Sequence, residues 1–260
     1  MTRAALLRLA AISKSFGAVQ ALVGVDLAVC EGEIVGLCGD NGAGKSTLIK
    51  IIAGILRPDS GSIYWDGQAV TLNSPDEAKE LGIETLYQDL GLIPNLDVVA
   101  NVFLGRELAW VAPLGLVRVL KSREMERETE RILAELKIGI GSIREKVAVL
   151  SGGQRQAIAL GRAAGWGKRL VLLDEPTAAL GVRESVQALE VIRRLKDQGM
   201  AVVLISHNLE HVYDVADRIV VLRQGVVRGE CDREHLNGDR VVSWITGSSD
   251  FQGQPAPRFG

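Results

Sequence analysis

The chain has 260 residues, of which 47% are hydrophobic and 24% are charged, and its formal net charge at pH 7 is −2. Such a chain can bury a sizeable core in one large domain or in two unequal lobes. It lacks the basic excess typical of nucleic-acid binders and has no run of 18 apolar residues, so we expect neither a nucleic-acid partner nor a membrane span.

The first part of the chain is rich in strand signals. Residues 4–12 form an apolar stretch that Arg8 interrupts and that is short enough for a strand, so we expect no signal peptide. Strand signals continue to about Leu72, and Asp66-Gly67 predicts a turn between two of these strands.

A phosphate-binding pattern lies within this region. The letters G-D-N-G-A-G-K-S-T follow an apolar run suited to a buried strand and precede a helical pattern that ends at Gly54. A strand that enters a helix through such a loop directs backbone N–H groups and the helix dipole at one spot, which then holds a polyphosphate. Lys45 is expected to reach the β- and γ-phosphates and Ser46 to ligate Mg²⁺. The predicted ATP-binding residues of the loop are Gly39, Asp40, Asn41, Gly42, Ala43, Gly44, Lys45, Ser46 and Thr47.

Helical patterns follow. Ser74 at an N-cap position, Pro75 and Glu77 predict a short helix that runs to Gly82. From about Asn95 to Ala164 the whole pattern is helical. Its charged middle predicts a solvated amphipathic helix in which Arg123 pairs with Glu126 and Glu124 with Arg127. The apolar face of that helix is predicted to comprise Met125, Ile132, Leu133 and Leu136.

Two further patterns carry chemistry. Ser151 is a good N-cap for a following helix, and Gly152, Gly153 and Gln154 repeat the idea of bare backbone amides at a helix N-terminus, although they would also suit a simple cap and turn. An apolar run, residues 170–173, then ends in Asp174 and Glu175. Ligands of parallel sheets bind beside the carboxyl ends of strands, so we interpret Asp174 as a Mg²⁺ ligand and Glu175 as a general base rather than as a solvated turn.

With Leu150 to Gln154 reading L-S-G-G-Q, the chain resembles the ATP-binding-cassette family from about Leu6 to Gly247. The resemblance implies that the L-S-G-G-Q segment faces the γ-phosphate of ATP held by an opposite subunit. It also assigns adenine stacking to Phe16, contact with Mg²⁺ or the attacking water to Gln88, and a switch role near the γ-phosphate to His207. By residue type alone, Phe16 would equally suit a core and Gln88 an exposed surface.

One position departs from the family. After Leu180 the family usually has an aspartate that contacts the partner cassette, whereas this chain has Gly181. We therefore expect ATPase activity with weaker coupling between the two sites. His207 and His211 stand four apart, but Asn208 follows the first histidine where a zinc protease needs glutamate, so we reject a metal there.

The predicted fold class is α/β: a P-loop NTPase core with a mostly parallel sheet, a small antiparallel β part and an α-helical insertion lobe. We expect residues 1–94 and 165–246 to form the nucleotide-binding core, residues 95–164 the helical lobe, and residues 247–260 a disordered tail. The cysteines are expected to be buried free thiols of a reducing compartment; they are Cys30, Cys38 and Cys231.

Within the family, the chain resembles single-cassette subunits of bacterial fructose- or ribose-type importers. The stretches that carry this resemblance include Asn73 to Pro75, Gly82 to Gln88 and Asn101 to Glu107. It implies a cassette dimer, with itself or a homologous cassette, at the cytoplasmic face of the membrane under two permeases, fed by a periplasmic sugar-binding protein. The cofactors would be ATP and Mg²⁺.

Other function classes stay open: an importer of nucleosides, signalling molecules or amino acids, an exporter, or a soluble cassette ATPase of repair or translation. For a transporter, the apolar stretch Asp89 to Leu96 predicts the surface that receives a permease helix. The alternative is that Leu92 and Ile93 pack only into the core of the helical lobe.

Overall fold

A computed structural model describes residues 4–111, 118–178 and 180–248. The strands are β1 Ala5–Phe16, β2 Val19–Cys30, β3 Ile34–Cys38, β4 Ser60–Trp65, β5 Gln68–Val70, β6 Ile83–Leu86, β7 Ala109–Val111, β8 Arg118–Leu120, β9 Leu170–Asp174, β10 Ala201–Ile205, β11 Arg218–Arg223 and β12 Val226–Asp232. The α-helices are α1 Lys45–Ile52, α2 Pro75–Glu80, α3 Val98–Val102, α4 Ser122–Glu135, α5 Gly152–Trp166, α6 Val182–Asp197, α7 Leu209–Val215 and α8 Gly238–Thr246.

A six-stranded sheet in the order β12-β11-β3-β10-β9-β6 forms the centre of the molecule. Its neighbouring strands are parallel except for β12, which pairs antiparallel with β11. Every residue of β3 and β10 is buried, as expected for strands that are covered by other elements on both faces. The predicted mostly parallel sheet is therefore confirmed.

A second, antiparallel sheet has the strand order β2-β1-β4-β5 and packs over α1. Its β4–β5 hairpin turns at Asp66 and Gly67, whose φ angles of 49° and 76° fit a two-residue hairpin turn. The turn predicted at this dipeptide is thus confirmed, as is the small antiparallel part of the fold.

The predicted helical segment contains α3, α4 and α5, but it is not wholly helical. A hairpin of β7 and β8 interrupts it, pairing Trp110 with Val119. Aromatic and β-branched residues favour strands, and this local preference wins over the helical pattern. The division of the chain into a core and a helical lobe stays a prediction.

Helix α4 and its C-cap residue bury the predicted apolar face, formed by Met125, Ile132, Leu133 and Leu136. Its predicted ion pairs are wrong. Glu124 pairs with Lys121 at 3.1 Å, and Glu126 pairs with Arg144 from outside the helix. Exposed charged side chains gain little from any one partner, so sequence spacing does not decide the choice.

The remaining elements agree with their local signals. Ser74 caps α2, since its hydroxyl accepts a hydrogen bond from the Glu77 amide at 3.3 Å. The cysteines are buried and none of them forms a disulfide, as predicted. Across the described residues, none of the helices combines the length and apolar character needed to cross a membrane. Of the predicted disordered tail, residues 249–260 lie outside the described residues.

Candidate active site

The carboxyl ends of three parallel strands meet at one edge of the central sheet. Ile205 at the end of β10 pairs with Leu37 of β3 on one side and with Asp174 of β9 on the other. The Glu175 amide then donates to the Ile205 carbonyl oxygen at 2.9 Å. The loop that follows β3, the two carboxylates at the end of β9 and the histidine after β10 are therefore neighbours at the edge where such sheets bind ligands.

A cleft of about 480 Å³ opens at this edge. The predicted site residues that line it are Phe16, Asn41, Gly42, Ala43, Gly44, Lys45, Ser46, Thr47, Gln88, Asp174, Glu175 and His207. Gly39 and Asp40 line a neighbouring cavity together with His207. The signature residues, Ser151 to Gln154, line neither of these cavities. The structure thus gathers one half of the predicted site and places the signature elsewhere.

Glycine is needed at two positions of the loop between β3 and α1. Gly39 and Gly44 have φ angles of 142° and 105°. A Cβ at position 39 would lie 2.1 Å from the Leu222 carbonyl oxygen, and one at position 44 would lie 2.5 Å from the Ala21 carbonyl oxygen. A side chain at either position would therefore displace the loop from the flanking strands.

Lys45 begins α1 and supplies the positive charge of the loop. Its ammonium group donates to the carbonyl oxygens of Gly39 at 2.6 Å and Asp40 at 2.9 Å. These bonds hold the charge close to the backbone amides of the helix N-terminus. The combination forms a compact anion-binding site with charge, donors and helix dipole aimed at one place.

Asp174 is half-buried at the end of β9. Burial raises the pKa of its carboxyl group above the usual value, the charge of Glu175 raises it further, and Lys45 lowers it. The fold thus places a partly desolvated carboxylate beside the loop, and a bound cation would stabilise its charged form.

Glu175 adopts a φ of 54°, which is uncommon for a residue other than glycine. Its Oε2 atom is buried and has no hydrogen-bond partner. Nδ1 of His207 lies 2.7 Å from that oxygen, but the pair does not satisfy hydrogen-bond geometry, so the contact is a close approach of two polar groups. The His207 side chain is 74% exposed and can move. An orphaned carboxylate oxygen in a cleft is suited to accept a hydrogen bond from water.

The residues suit Mg²⁺ held jointly with a phosphate. Ser46, Gln88 and Asp174 line the same cleft and offer oxygen ligands. In the described part of the chain, no cluster of three His, Cys, Asp or Glu side chains could hold a metal alone. Mg²⁺ commonly binds through one or two protein ligands, with waters and substrate phosphates completing its shell, and this donor set fits that pattern.

Phe16 ends β1 and pairs with Val19 across a tight hairpin turn. It is 48% exposed at the mouth of the cleft, with the Lys14 ammonium group 5.8 Å from its ring centre. An exposed aromatic ring beside a cation can stack on a flat heterocycle, whereas the alternative of a core residue does not fit this exposure.

The signature segment forms a capping box at the start of α5. The Ser151 hydroxyl accepts from the Gln154 amide at 3.2 Å, and the Gln154 side chain accepts from the Ser151 amide at 3.0 Å. Gly152 is exposed, and a Cβ there would meet no atom closer than 3.9 Å. The start of α5 therefore presents an open helix N-terminus away from the cleft of its own chain.

Two residues that the sequence interpretation did not assign fix the loop after Gln88. Buried Asn101 accepts from the Ile93 amide at 2.7 Å and donates to the Ile93 carbonyl oxygen at 3.1 Å. Arg162 on α5 donates to the carbonyl oxygens of Leu90 at 2.5 Å and Gly91 at 2.9 Å. A polar residue inside an apolar helical pattern was the available signal in both cases, since buried polar groups need partners.

Comparison with protein-family models matches residues 22–178 to the family described as ABC transporter. The chain is 46% identical to the xylose/arabinose import ATP-binding protein of Sulfolobus acidocaldarius, over 93% of this chain and 94% of that one. It is 45% identical to the fructose import ATP-binding protein of Rhizobium meliloti, with 96% and 97% covered. The ribose import ATP-binding protein of Yersinia pestis is 41% identical over 95% of this chain but only 47% of its own length.

Solved structures of ABC transporter cassettes share this fold. An ATP-binding cassette of an ABC transporter in its ADP conformation superposes with a TM-score of 0.81 at 28% identity, covering 94% of this chain and 99% of that one. A dimeric bacterial ABC transporter cassette superposes with a TM-score of 0.72 at 26% identity, covering 88% and 100%.

Proposed function

We propose that this chain, which belongs to the ABC transporter family and is an ATP hydrolase of that family, powers the import of a monosaccharide. The observation that carries the ATPase part of the proposal is the cleft that joins Lys45, Asp174, Glu175 and His207 while leaving the signature outside it. The cleft of such a chain would form one half of its own ATP site, and its signature would complete the ATP site of a second cassette.

ATP would bind with its polyphosphate on the loop from Gly39 to Thr47 and its adenine against Phe16. The amides and the Lys45 ammonium group would hold the phosphates, and the helix dipole of α1 adds to their field. Ser46, Gln88 and Asp174 would hold Mg²⁺, which neutralises charge on the phosphates when it is bound.

Glu175 would act as the general base. Its unpartnered, buried Oε2 atom can orient a water and accept its proton as that water attacks the γ-phosphorus. His207, next to this oxygen and exposed, would contact the transferred phosphoryl group. Gln88 lines the same cleft and would help to position the water.

A dimer would complete the site. The open N-terminus of α5, with Ser151, Gly152, Gly153 and Gln154, would meet the γ-phosphate of ATP bound to the second cassette, a copy of this chain or a homologue. The similarity to a dimeric cassette supports this arrangement. Hydrolysis and dimerisation would then depend on each other, because neither chain alone encloses the nucleotide.

Monosaccharide import is favoured because two relatives that match over more than nine-tenths of both chains are named for xylose/arabinose and fructose import. The chain would work as a peripheral protein at the cytoplasmic face of the membrane, with two permeases and, through them, a periplasmic sugar-binding protein. Copurification with permeases separates this proposal from a soluble cassette ATPase, and uptake assays with labelled pentoses and hexoses separate it from another importer or an exporter.

The ATPase site is tested by Glu175→Gln. We expect this variant to bind ATP normally but to hydrolyse it about 10²- to 10⁴-fold more slowly, since the carboxylate is needed only when water attacks. Trapped with ATP, it should dimerise in sedimentation, and adding Gly152→Asp should abolish the dimer by placing charge where the partner's phosphate docks. Glu80→Gln, an exposed control on α2, should behave like the wild type. Normal turnover by Glu175→Gln would refute the assigned base.

A further inference from the structure

Glu184 in the first turn of α6 lies between two glycines that belong to different elements. One is Gly153 at the start of α5, and the other is Gly181, which immediately precedes α6. Both glycines approach the Glu184 side chain closely enough that a Cβ on either would collide with it. The two glycines therefore leave the space that the stem and the carboxylate of Glu184 occupy.

The stem of Glu184 occupies the space beside the signature backbone. A Cβ at Gly153 would lie 2.3 Å from Cγ of Glu184 and 2.7 Å from its Cβ. These atoms are near the backbone of α6 and cannot swing away as the end of a long side chain can. The absence of a side chain at Gly153 therefore lets α6 approach the start of α5.

The carboxylate of Glu184 occupies the space beside Gly181. A Cβ at that position would lie 2.5 Å from Oε2 of Glu184. Gly181 is the N-cap of α6 and has no side chain to cap it, and Glu184 is the acidic residue of the first turn. A negative charge there is favourable because it faces the positive end of the helix dipole. The stem of Glu184, which faces Gly153, is the part of the side chain whose place the fold sets.

We propose that Glu184 is a positioning residue that sets the spacing between the start of α5 and the start of α6, and thereby aims the signature at ATP held by a second cassette. The inference rests on the proposed function, in which the signature of one chain must face the ATP bound to the other. It also bears on Gly181, because an aspartate there would have to displace the Glu184 carboxylate from its place at the start of α6. The negative charge that the family places at position 181 would then be supplied by Glu184.

The test uses the full chain in the Glu175→Gln background, with ATP affinity of the monomer and ATP-driven dimerisation measured separately. Gly181→Asp should weaken dimerisation about tenfold, because the aspartate repels and displaces the Glu184 carboxylate and so shifts the start of α6 against the start of α5. Gly181→Asp with Glu184→Ala should restore it to within about threefold, since the aspartate then occupies the vacated space. ATP affinity should stay unchanged in every variant.

Glu184→Gln distinguishes charge from shape. It keeps the stem but removes the charge, so we expect dimerisation to weaken by about twofold to fivefold per site. Glu190→Gln, farther along α6 in an exposed ion pair with Arg194, is the matched control and should have no effect.

Three outcomes would overturn the inference: normal dimerisation by Gly181→Asp, no rescue in the double variant, or parallel losses of ATP affinity and thermal stability. If the Glu175→Gln parent itself fails to dimerise with ATP, the proposed function fails first, so the two failures are distinguishable.

Discussion

Asn101 offers a sharp test of how the loop after Gln88 is held. The side chain is fully buried in α3 and makes four hydrogen bonds to the backbone of residues 93–97. Three of the four are donated to carbonyl oxygens that also accept a backbone hydrogen bond and would keep it without the side chain. The Ile93 oxygen accepts from the Leu96 amide, the Leu96 oxygen from the Val147 amide, and the Asp97 oxygen from the Asn101 amide. Only the Ile93 amide would lose its described partner.

Asn101→Ala should therefore cost less than four independent bonds. At about 0.5 kcal/mol for each of three shared bonds and about 1 kcal/mol for the single amide bond, the loss in the free energy of unfolding is about 2–3 kcal/mol. Asn101→Asp should cost more, because it keeps the acceptor for the amide but turns a buried carboxylate toward three carbonyl oxygens.

Urea unfolding measures the free energy, and amide hydrogen exchange of residues 92, 93 and 95–97 measures loop opening. Exchange of the Ile93 amide should accelerate most. Asn95→Ala, an exposed residue of the same loop, is the matched control and should change stability by less than about 0.5 kcal/mol. If Asn101→Ala is equally mild, or if Ile93 stays protected, the hydrogen-bond account of this loop is wrong.

The coupling surface and the cation site give two further predictions. Ile93 is 41% exposed while Leu92 packs against the core, so Ile93→Glu alone should leave ATPase activity of the isolated cassette intact but lower sugar uptake by the assembled transporter; full uptake would place the permease contact elsewhere. Burial raises the pKa of Asp174, so the folded protein binds this proton more readily and is destabilised as pH rises through that pKa. Asp174→Asn should thus raise the melting temperature of the nucleotide-free protein near pH 7 and remove the extra stabilisation that MgATP gives over ATP alone. A lower melting temperature without ligand would contradict the burial argument.

Sequence patterns predicted the parts of the site whose backbone geometry is local. Gly39 and Gly44 are needed because β11 crowds the first and β2 the second, and both glycines belong to one short motif that the sequence shows directly. The sequence could not predict which charges pair on α4, because alternative exposed ion pairs differ little in free energy. The β7–β8 hairpin was missed because two three-residue strands leave no periodicity inside a helical pattern.

Non-local contacts account for what the sequence could not supply. Glu184 meets Gly153 across about thirty positions of chain, and Arg162 meets Gly91 across 71. No window of a single sequence reports such contacts. The sequence showed that Gly181 departs from the family pattern. It could not show that the Glu184 carboxylate lies beside this glycine, because the fold decides where that side chain points.

The same contacts explain why the loop after Gln88 is suited to transmit motion. Arg162 ties its carbonyl oxygens to α5, and α5 begins at the signature, about 15 Å away along one rigid helix. Asn101 ties the other end of the loop to α3. A permease that pushes on exposed Ile93 would therefore move α5 as a lever, and the start of α5 would carry the displacement to the contact between Gly153 and Glu184. If so, the effect of Ile93→Glu on uptake and the effect of Gly181→Asp on dimerisation should be non-additive, whereas unconnected sites would give additive losses.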